Sequence, residues 1–154
     1  MGRAKYQVLV IPYCIKDKTI KYGIFHRSDM DVWQFIAGGG EDEDESFLDS
    51  AKREAYEEAN ISKDKKYYKL DTQCSISTEC FKKARIVWGE KCLVIPEYSF
   101  AVEISENNLV ISNEHIEYEW VDYEIAKKRL KFDSNKVALW ELDNSLRLGL
   151  IDYN

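Results

Sequence analysis

The chain has 154 residues, of which 45% are hydrophobic and 32% are charged, and its formal net charge is −6. This length allows one domain with a sizeable core and is short for two, and the composition excludes a disordered chain. The negative charge argues against a general nucleic-acid binder, but a polyanionic substrate stays open because divalent cations invert the local field of an acidic site. We therefore expect a single domain over residues 1–154.

Three features of the sequence indicate whether the protein binds zinc and where in the cell it resides. They are the cysteines, the apolar runs and the N-terminus. The four cysteines show no Cys-x-x-Cys spacing and the two histidines stand far apart, which argues against structural zinc. Four cysteines would allow two disulfides in a secreted protein, but residues 1–5 lack signal-peptide architecture. The longest apolar runs fall well below the roughly 20 residues of a membrane span. We therefore expect reduced thiols, a cytoplasmic protein and no membrane contact.

The first half of the chain predicts two strands and one helix. Tyr6–Ile15 and Ile20–His26 are typical of strands, with the polar turn 16–18 between them. Residues Ser46–Ala59 contain neither Gly nor Pro and predict a helix. Further strands are predicted at Tyr67–Ser77, Ala84–Trp88, Tyr98–Ile104 and Ile116–Val121.

Two helices are predicted near the C-terminus, at Tyr123–Leu130 and Ser134–Leu148. Ser134 is the expected N-cap of the second, and Val137, Trp140 and Leu146 form its expected apolar stripe. Strands that flank one central helix, followed by helices at the end, predict an α+β fold or a sheet sandwiched by helices.

An acidic helix follows three consecutive glycines, 38–40, which allow the main chain to approach a ligand closely. Glu54, Glu57 and Glu58 stand at i, i+3 and i+4 and share an arc of about 100°. Each like-charge pair at this spacing costs about 0.2–0.5 kcal/mol, and Arg53 relieves only part of this through Glu57. The spacing alone fits either a solvated surface helix or an oxygen cage for Mg²⁺.

The surrounding segment resembles the box of the Nudix family. Gly39, five residues, Glu45, seven residues and then the run 53–61 follow the pattern Gly-x5-Glu-x7-Arg-Glu-U-x-Glu-Glu-x-Gly-U, where U is apolar. Eight of the nine defined positions agree over 23 residues. The exception is Asn60 in place of Gly. Asn also tolerates the left-handed conformation that ends a helix, so the geometry should survive.

The resemblance implies a Nudix-type α/β/α sandwich with a mixed sheet and a loop-helix-loop that binds divalent metal. Glu54 and Glu58 would be metal ligands, Glu57 a ligand or a water-orienting residue, and the Gly39 carbonyl a further ligand. Glu45 and Arg53 would form a structural pair.

The implied cofactor is Mg²⁺, with Mn²⁺ able to replace it. One to three such ions convert the carboxylates into a phosphate clamp and lower the pKa of a bound water that attacks phosphorus. Glu57, Glu58 and Glu114 are the expected catalytic residues.

A closer resemblance within the family is to bacterial dihydroneopterin triphosphate pyrophosphatases. It rests on Trp33-Gln34 followed by Ala37-Gly38, on the run 113–120, and on Asp122 and Ser134-Asn135. It implies that Glu114 is a fourth metal ligand or the general base, although Glu114 could also be an ordinary loop carboxylate.

Substrate contacts are expected from residues near these stretches, namely Arg27, Trp33, Ala37, Lys131 and Asn135. Each has a plainer interpretation, since an Arg at a strand end is usually solvated and a Trp is usually core. Residues 81–83 and Arg85 form a small basic patch that is either a turn or a triphosphate contact.

The leading hypothesis is cleavage of a nucleoside or pterin triphosphate, with dihydroneopterin triphosphate as the candidate, releasing pyrophosphate and a monophosphate. The alternatives are a housecleaning hydrolase of oxidised dNTPs or dinucleoside polyphosphates, and a Nudix ligand-sensor domain. The expected partner is a small di- or triphosphate, with no nucleic acid. Both a monomer and a homodimer fit the sequence.

Overall fold

The computed structural model describes residues 3–81, 83–105 and 109–151. Within these ranges one mixed sheet contains β1 (Arg3–Lys16), β2 (Thr19–Arg27), β3 (Trp33–Gln34), β4 (Ile36–Glu41), β5 (Tyr67–Ser77), β6 (Val94–Glu103) and β7 (His115–Val121). The helices are α1 (Phe47–Ala59), α2 (Ala84–Trp88), α3 (Tyr123–Arg129) and α4 (Asp133–Arg147), with a 3₁₀ turn at Thr78–Cys80. None of these helices is long and apolar enough to cross a membrane.

The long strand β1 organises the sheet, whose main path runs β3-β2-β1-β6-β5. Along one edge, β1 pairs antiparallel with β4 through Gln7–Val10 and with β2 through Tyr13–Lys16. Its other edge pairs in parallel with β6. The glycine segment, predicted as a loop, is therefore the strand β4, because hydrogen bonding to β1 outweighs the low strand propensity of glycine.

Both faces of β1 are buried, which makes the sheet the middle of three layers. Val8 and Val10 pack toward α1, whereas Leu9, Ile11 and Tyr13 pack toward α4. A strand buried on both faces is expected to be continuously apolar rather than alternating, as this one is. The predicted α+β sandwich with a mixed sheet is confirmed.

The prediction of a strand at Ala84–Trp88 was wrong, because these residues form the short helix α2. Ile86 and Val87 are largely exposed there. A short apolar run does not distinguish a strand from a helix by its periodicity.

The predicted cap of α4 was also wrong, as were two of the three residues of its predicted apolar stripe; Leu146 is buried as predicted. The helix begins at Asp133 after Phe132, with no side-chain cap, so Ser134 is not the N-cap. Val137 and Trp140 are mostly exposed. The buried face instead contains Ala138, Leu139, Leu142 and Leu146, together with the polar side chains of Asn135 and Asp143.

Two hydrogen bonds set this rotation of α4. Asn135 Oδ1 accepts from the Phe35 backbone N–H at 2.8 Å, and Asp143 Oδ1 accepts from the Tyr22 hydroxyl at 2.6 Å. Both bonds are buried, and breaking either would leave a polar group without a partner. They turn the helix so that its largest apolar side chain, Trp140, faces outward.

Replacing Leu139 tests the rotation of α4. Leu139→Ala removes a side chain with no exposed surface and should lower the free energy of unfolding by about 2–5 kcal/mol, because a cavity remains. Trp140→Ala removes a larger side chain but should cost about 1 kcal/mol or less, because it is mostly exposed. Urea unfolding measures both; a larger loss for Trp140→Ala would contradict the observed rotation.

Candidate active site

A cleft of about 940 Å³ crosses the molecule between β4, β6, the start of α4 and the loop before β7. The carboxylates of Glu54, Glu58 and Glu114 line one part of it. Gln7, Glu97 and the first turn of α4 line another part. The cleft therefore offers an acidic region and a separate, more mixed region to one elongated ligand.

The helix α1, which carries Glu54 and Glu58, has well-defined ends. Ser46 Oγ accepts from the Asp49 backbone N–H at 3.0 Å and caps its first turn. Asn60 takes the left-handed conformation at φ 57°, and its backbone N–H bonds to the Tyr56 carbonyl at 3.0 Å. The prediction that Asn60 replaces Gly at this cap without loss of geometry is confirmed.

Arg53 braces the glycine strand against α1. Its Nη2 donates to the Gly39 carbonyl at 2.8 Å and to Asp44 Oδ2 at 2.9 Å, and its Nη1 donates to Glu54 Oε1 at 3.0 Å. The more distant Glu41 and Glu57 carboxylates stand 3.4 Å away. The Gly39 carbonyl, a predicted metal ligand, is therefore held by Arg53.

The predicted pair of Arg53 with Glu45 is wrong, because the partner is Asp44. Asp44 Oδ2 also accepts from Ser50 Oγ at 2.6 Å and from the Glu41 backbone N–H at 3.0 Å, so its side chain points inward. Glu45 is exposed and is not among the ion-pair partners of Arg53 in the described residues. Burial raises the pKa of Asp44, but the bonds from Arg53 and Ser50 outweigh it and hold the pKa at about 2.

Glu58 is the most buried of the helix carboxylates, at 3% exposure, and its Oε2 has no hydrogen-bond partner in the described part of the chain. Burial, together with the adjacent carboxylates of Glu54 and Glu114, raises the pKa of Glu58 far above its usual range. Burial also raises the pKa of Glu54. Three carboxyl groups thus meet here, and Arg53 compensates the charge of Glu54 but not that of Glu58.

Glu57 does not join this group. Its side chain is 53% exposed and does not line the cleft. On a helix, Glu54 and Glu58 are separated by about 40° of rotation, whereas Glu57 lies about 60° from Glu54 on the other side. The structure therefore brings Glu54, Glu58 and Glu114 together and leaves Glu57 at the rim beside Arg53.

The loop that carries Glu114 is attached to both α1 and β2. The Ser112 backbone N–H donates to the Glu58 carbonyl at 3.0 Å, and the Ser28 backbone N–H donates to the Glu114 carbonyl at 2.9 Å. These bonds place the Glu114 side chain beside Glu58. They connect residues more than 50 positions apart.

His115 lies behind Glu58, with its Nδ1 3.9 Å from Glu58 Oε1. Its side chain is buried, and burial lowers the pKa of its ring, which favours the neutral imidazole. Sequence reasoning assigned no chemistry to His115. The structure makes it part of the wall that supports the carboxylates.

The donor set fits a hard divalent cation such as Mg²⁺. Carboxylate oxygens are the ligands such a cation prefers, and the unpartnered Glu58 Oε2 is the atom that a cation would satisfy. Among the described residues, no three His, Cys, Asp or Glu side chains already stand in a coordinating arrangement. Coordination would therefore require these carboxyl groups to change their side-chain rotamers.

Gly38 has a specific steric role in this site. A Cβ atom at Gly38 would collide with the carboxyl group of Glu54. The lack of a side chain there lets Glu54 lie against the β4 backbone. Glycine is needed at this position because Glu54 approaches closely, and not because the backbone adopts an unusual conformation.

The predicted substrate residues divide into two groups. Arg27, Ala37 and Asn135 line the cleft, and Arg27 is held by Asp29 through a bond of 2.8 Å from its Nε. Asn135 contributes mainly by holding α4 to the Phe35 backbone. Phe81 of the predicted basic patch also lines the cleft, and Lys82 lies outside the described residues.

Trp33 and Lys131 do not line the cleft, and these two predictions are corrected. The Trp33 ring is stacked on His26 at 4.7 Å, and the Arg129 guanidinium lies over the ring at 5.6 Å. The indole therefore packs against His26 and Arg129. Lys131 is exposed, and its backbone N–H bonds to the Trp33 carbonyl at 3.1 Å.

The polar residues of the cleft that were missed from the sequence include Arg3, Gln7 and Glu97. The available signal was a polar side chain within or beside an otherwise apolar strand, but many such residues are simply solvated. Only the pairing of β1 with β6 shows that Gln7 and Glu97 are neighbours.

The chain was compared with known protein families and with curated relatives. Residues 16–140, more than half of the chain, match the family profile described as the NUDIX domain. The dihydroneopterin triphosphate diphosphatase of Escherichia coli (strain K12) is 28% identical over 133 residues, covering 86% of this chain and 87% of that protein. The enzyme of the same name from Haemophilus influenzae is also 28% identical, with 86% and 83% covered.

The chain is also similar in fold to solved structures of hydrolases. A protein of Listeria monocytogenes str. 4b F2365 described as a NUDIX hydrolase is 43% identical, with a TM-score of 0.84 and 95% and 97% of the two chains covered. The E. coli dihydroneopterin triphosphate pyrophosphohydrolase has a TM-score of 0.74 at 23% identity, covering 93% and 99%. A Caenorhabditis elegans Ap4A hydrolase has a TM-score of 0.73 at 18% identity, covering 94% and 98%. The last two similarities show the fold alone.

Replacing Asp44 tests the brace. Because its folded pKa is depressed, Asp44 contributes stability above its unfolded pKa near 4, and this contribution is lost as pH falls toward 2. Asp44→Asn should lower the free energy of unfolding at pH 7 by about 2 kcal/mol, and the difference from the parent should shrink below about pH 4. Glu45→Gln is the neighbouring control and should leave stability nearly unchanged. Urea unfolding from pH 7 to 3 measures both; a loss confined to Glu45→Gln would restore the sequence prediction.

Proposed function

This chain belongs to the Nudix family of hydrolases, and from that premise we propose that it is a Mg²⁺-dependent pyrophosphohydrolase of nucleoside or pterin triphosphates. The observation that supports this most directly is the meeting of three carboxyl groups around the unpartnered, buried Glu58 Oε2. A buried cluster of like charges is unfavourable unless a cation or protons neutralise it. Dihydroneopterin triphosphate is the proposed substrate, on the support of the 28% identical relatives.

Glu54, Glu58 and Glu114 are the proposed metal-holding residues, with the Gly39 carbonyl as a further donor. When bound, Mg²⁺ neutralises the phosphate charge and lowers the pKa of a coordinated water. Glu57 is not among the proposed metal ligands. Its side chain lies at the edge of the cleft, next to Arg53. Manganese, another hard divalent cation, should replace magnesium at the same oxygens.

The remaining chemistry belongs to the side chains. A water oxygen attacks one phosphorus of the anhydride, the bridging P–O bond breaks, and pyrophosphate departs while the rest of the substrate becomes a monophosphate. Glu114 is exposed on its loop, and the carboxylate oxygen that does not hold the metal is the proposed base that accepts the proton of the attacking water. The guanidinium of Arg27 lines the same cleft, where it would bind the phosphate oxygens.

The other expectations are part of the same proposal. We propose a cytoplasmic, single-domain enzyme whose partner is a small di- or triphosphate. A housecleaning hydrolase and a ligand sensor are the outcomes that the substrate experiment below would identify.

Glu58→Gln tests the metal site by two independent measurements. Turnover with Mg²⁺ should fall by about 10²–10³-fold, the scale seen when one charge-stabilising group is removed. Without metal, the variant should be more stable than the parent at neutral pH, because the raised pKa of Glu58 makes folding of the parent take up a proton, whereas the neutral amide needs none. The rise in melting temperature caused by Mg²⁺ should disappear.

The comparison variant for this test is Glu57→Gln on the same helix. Because Glu57 lies at the rim, its loss should reduce turnover by less than about tenfold and should preserve the Mg²⁺-induced stabilisation. Equal losses for the two variants would contradict the separation of Glu57 from the site. Full activity of Glu58→Gln would contradict the metal assignment itself.

A substrate panel tests the reaction and its substrate. The full chain is assayed with Mg²⁺ against dihydroneopterin triphosphate, the common and oxidised dNTPs and a dinucleoside polyphosphate, with released phosphate and pyrophosphate measured separately. We expect pyrophosphate release, with dihydroneopterin triphosphate among the best substrates and chelator-treated protein as the inactive control. A preference for oxidised dNTPs or the dinucleotide would favour housecleaning, and no turnover of any compound would favour the sensor.

A further inference from the structure

A row of four residues crosses the floor of the cleft on four adjacent strands. Gln7 of β1 pairs with Gly39 of β4 on one side and with Glu97 of β6 on the other, and Glu97 pairs with Cys74 of β5. All four residues line the cleft. Adjacent strands are about 4.8 Å apart, so the backbone of Glu97 lies about 10 Å from that of Gly39 and from the carboxylate region.

Glu97 has one unsatisfied atom in this row. Its side chain is 2% exposed, and its Oε2 accepts from Gln7 Nε2 at 2.7 Å. Its Oε1 has no hydrogen-bond partner in the described residues. A buried carboxyl oxygen without a partner is unfavourable, so a ligand donor at this position would satisfy an atom that the described residues leave without a hydrogen bond.

The neighbours of Glu97 fix its orientation. Gln7 Oε1 accepts from Arg3 Nη2 at 3.2 Å, so the Gln7 amide nitrogen must face Glu97. This bond occupies Oε2, whereas Oε1 has no hydrogen-bond partner among the described residues. The hydroxyl of Ser134, in the first turn of α4, is the nearby protein donor with which a ligand would compete for this carboxyl group. Phe132 and Val137, at the start of α4, add apolar surface to the same cleft, and Val137 is 51% exposed. These side chains offer a flat ring an apolar surface with Glu97 in the adjacent wall of the cleft.

We propose that Glu97 recognises the 2-amino-4-oxopyrimidine edge of a substrate ring, the chemistry shared by guanine and pterin. This edge presents a ring N–H and an exocyclic NH₂ side by side, two donors that match a carboxylate acceptor. Uracil and thymine rings instead place carbonyl oxygens on both sides of a single N–H, and these oxygens would face the Glu97 acceptor unfavourably. The inference rests on the proposed function, since it assigns the ring end of the same substrate.

Two ligand pairs that differ only at the 2-position test this assignment. GMP is compared with IMP, and pterin with lumazine, by calorimetric titration of the full chain. The ligand with the amino group should bind about 10- to 100-fold more tightly in at least one pair, because its partner leaves Glu97 Oε1 unsatisfied. The pair that shows the preference tells whether the ring is a guanine or a pterin.

Glu97→Gln should abolish this preference. The Gln7 amide nitrogen would continue to donate to the oxygen of the new amide at this position. The NH₂ group of that amide would then face the cleft, where it would meet the NH₂ group of the ligand. Glu97→Asp keeps the charge but shortens the side chain, and it should retain part of the preference. Glu103→Gln, at the other end of β6, is the matched control and should keep the full preference. Melting temperatures establish that each variant is folded.

These ligands contain no anhydride, so the measurement does not depend on hydrolysis. A preference in the parent that persists in folded Glu97→Gln would overturn the assignment, as would equal or undetectable binding of all four ligands. If the substrate panel fails while the preference appears, the ring site stands without the proposed reaction. If the panel succeeds without a preference, only the role of Glu97 is lost.

Discussion

One guanidinium group holds three segments of this protein together. Arg53 bonds to the backbone of β4 at Gly39, to the loop before α1 at Asp44 and to Glu54 on α1 itself. It is largely buried, so each of these bonds is charge-assisted and poorly screened by water. The distance between the glycine strand and the acidic helix depends on this group, and therefore so does the shape of the acidic part of the cleft.

The same region concentrates negative charge that the brace does not neutralise. Arg53 reaches Glu54 but stands away from Glu58, where burial and two neighbouring carboxyl groups act together. Gly38 lets Glu54 lie close to the β4 backbone, and the bond between Ser112 and Glu58 holds the Glu114 loop in place. The protein thus uses positive charge to fix the frame and leaves the inner carboxylates available. This is the arrangement expected where a cation completes the site.

The sheet register connects this acidic region to the rest of the cleft. Because Gly39, Gln7 and Glu97 are paired across β4, β1 and β6, the distance between the proposed metal site and the proposed ring site is set by the spacing of rigid strands. Helix α4 closes this surface, and its rotation is fixed by Asn135 and Asp143. Residues outside the acidic region therefore determine the shape of the rest of the cleft.

Local patterns in the sequence were sufficient for the family, the acidic helix, its cap at Asn60 and the shared face of Glu54 and Glu58. The sequence also placed Glu57 in this group, which the structure does not, and it suggested Glu114 only through the closer resemblance. Helical spacing and cap preference depend on residues a few positions apart, and the Nudix pattern spans only 23 residues. Only the tertiary structure decided that Asp44 rather than Glu45 holds Arg53, that Trp33 and Lys131 lie outside the cleft, and that Glu97 lies within it. Each of these depends on which side chain turns inward when distant strands and helices pack, and strand pairing between residues 90 positions apart leaves no periodic signal in the chain.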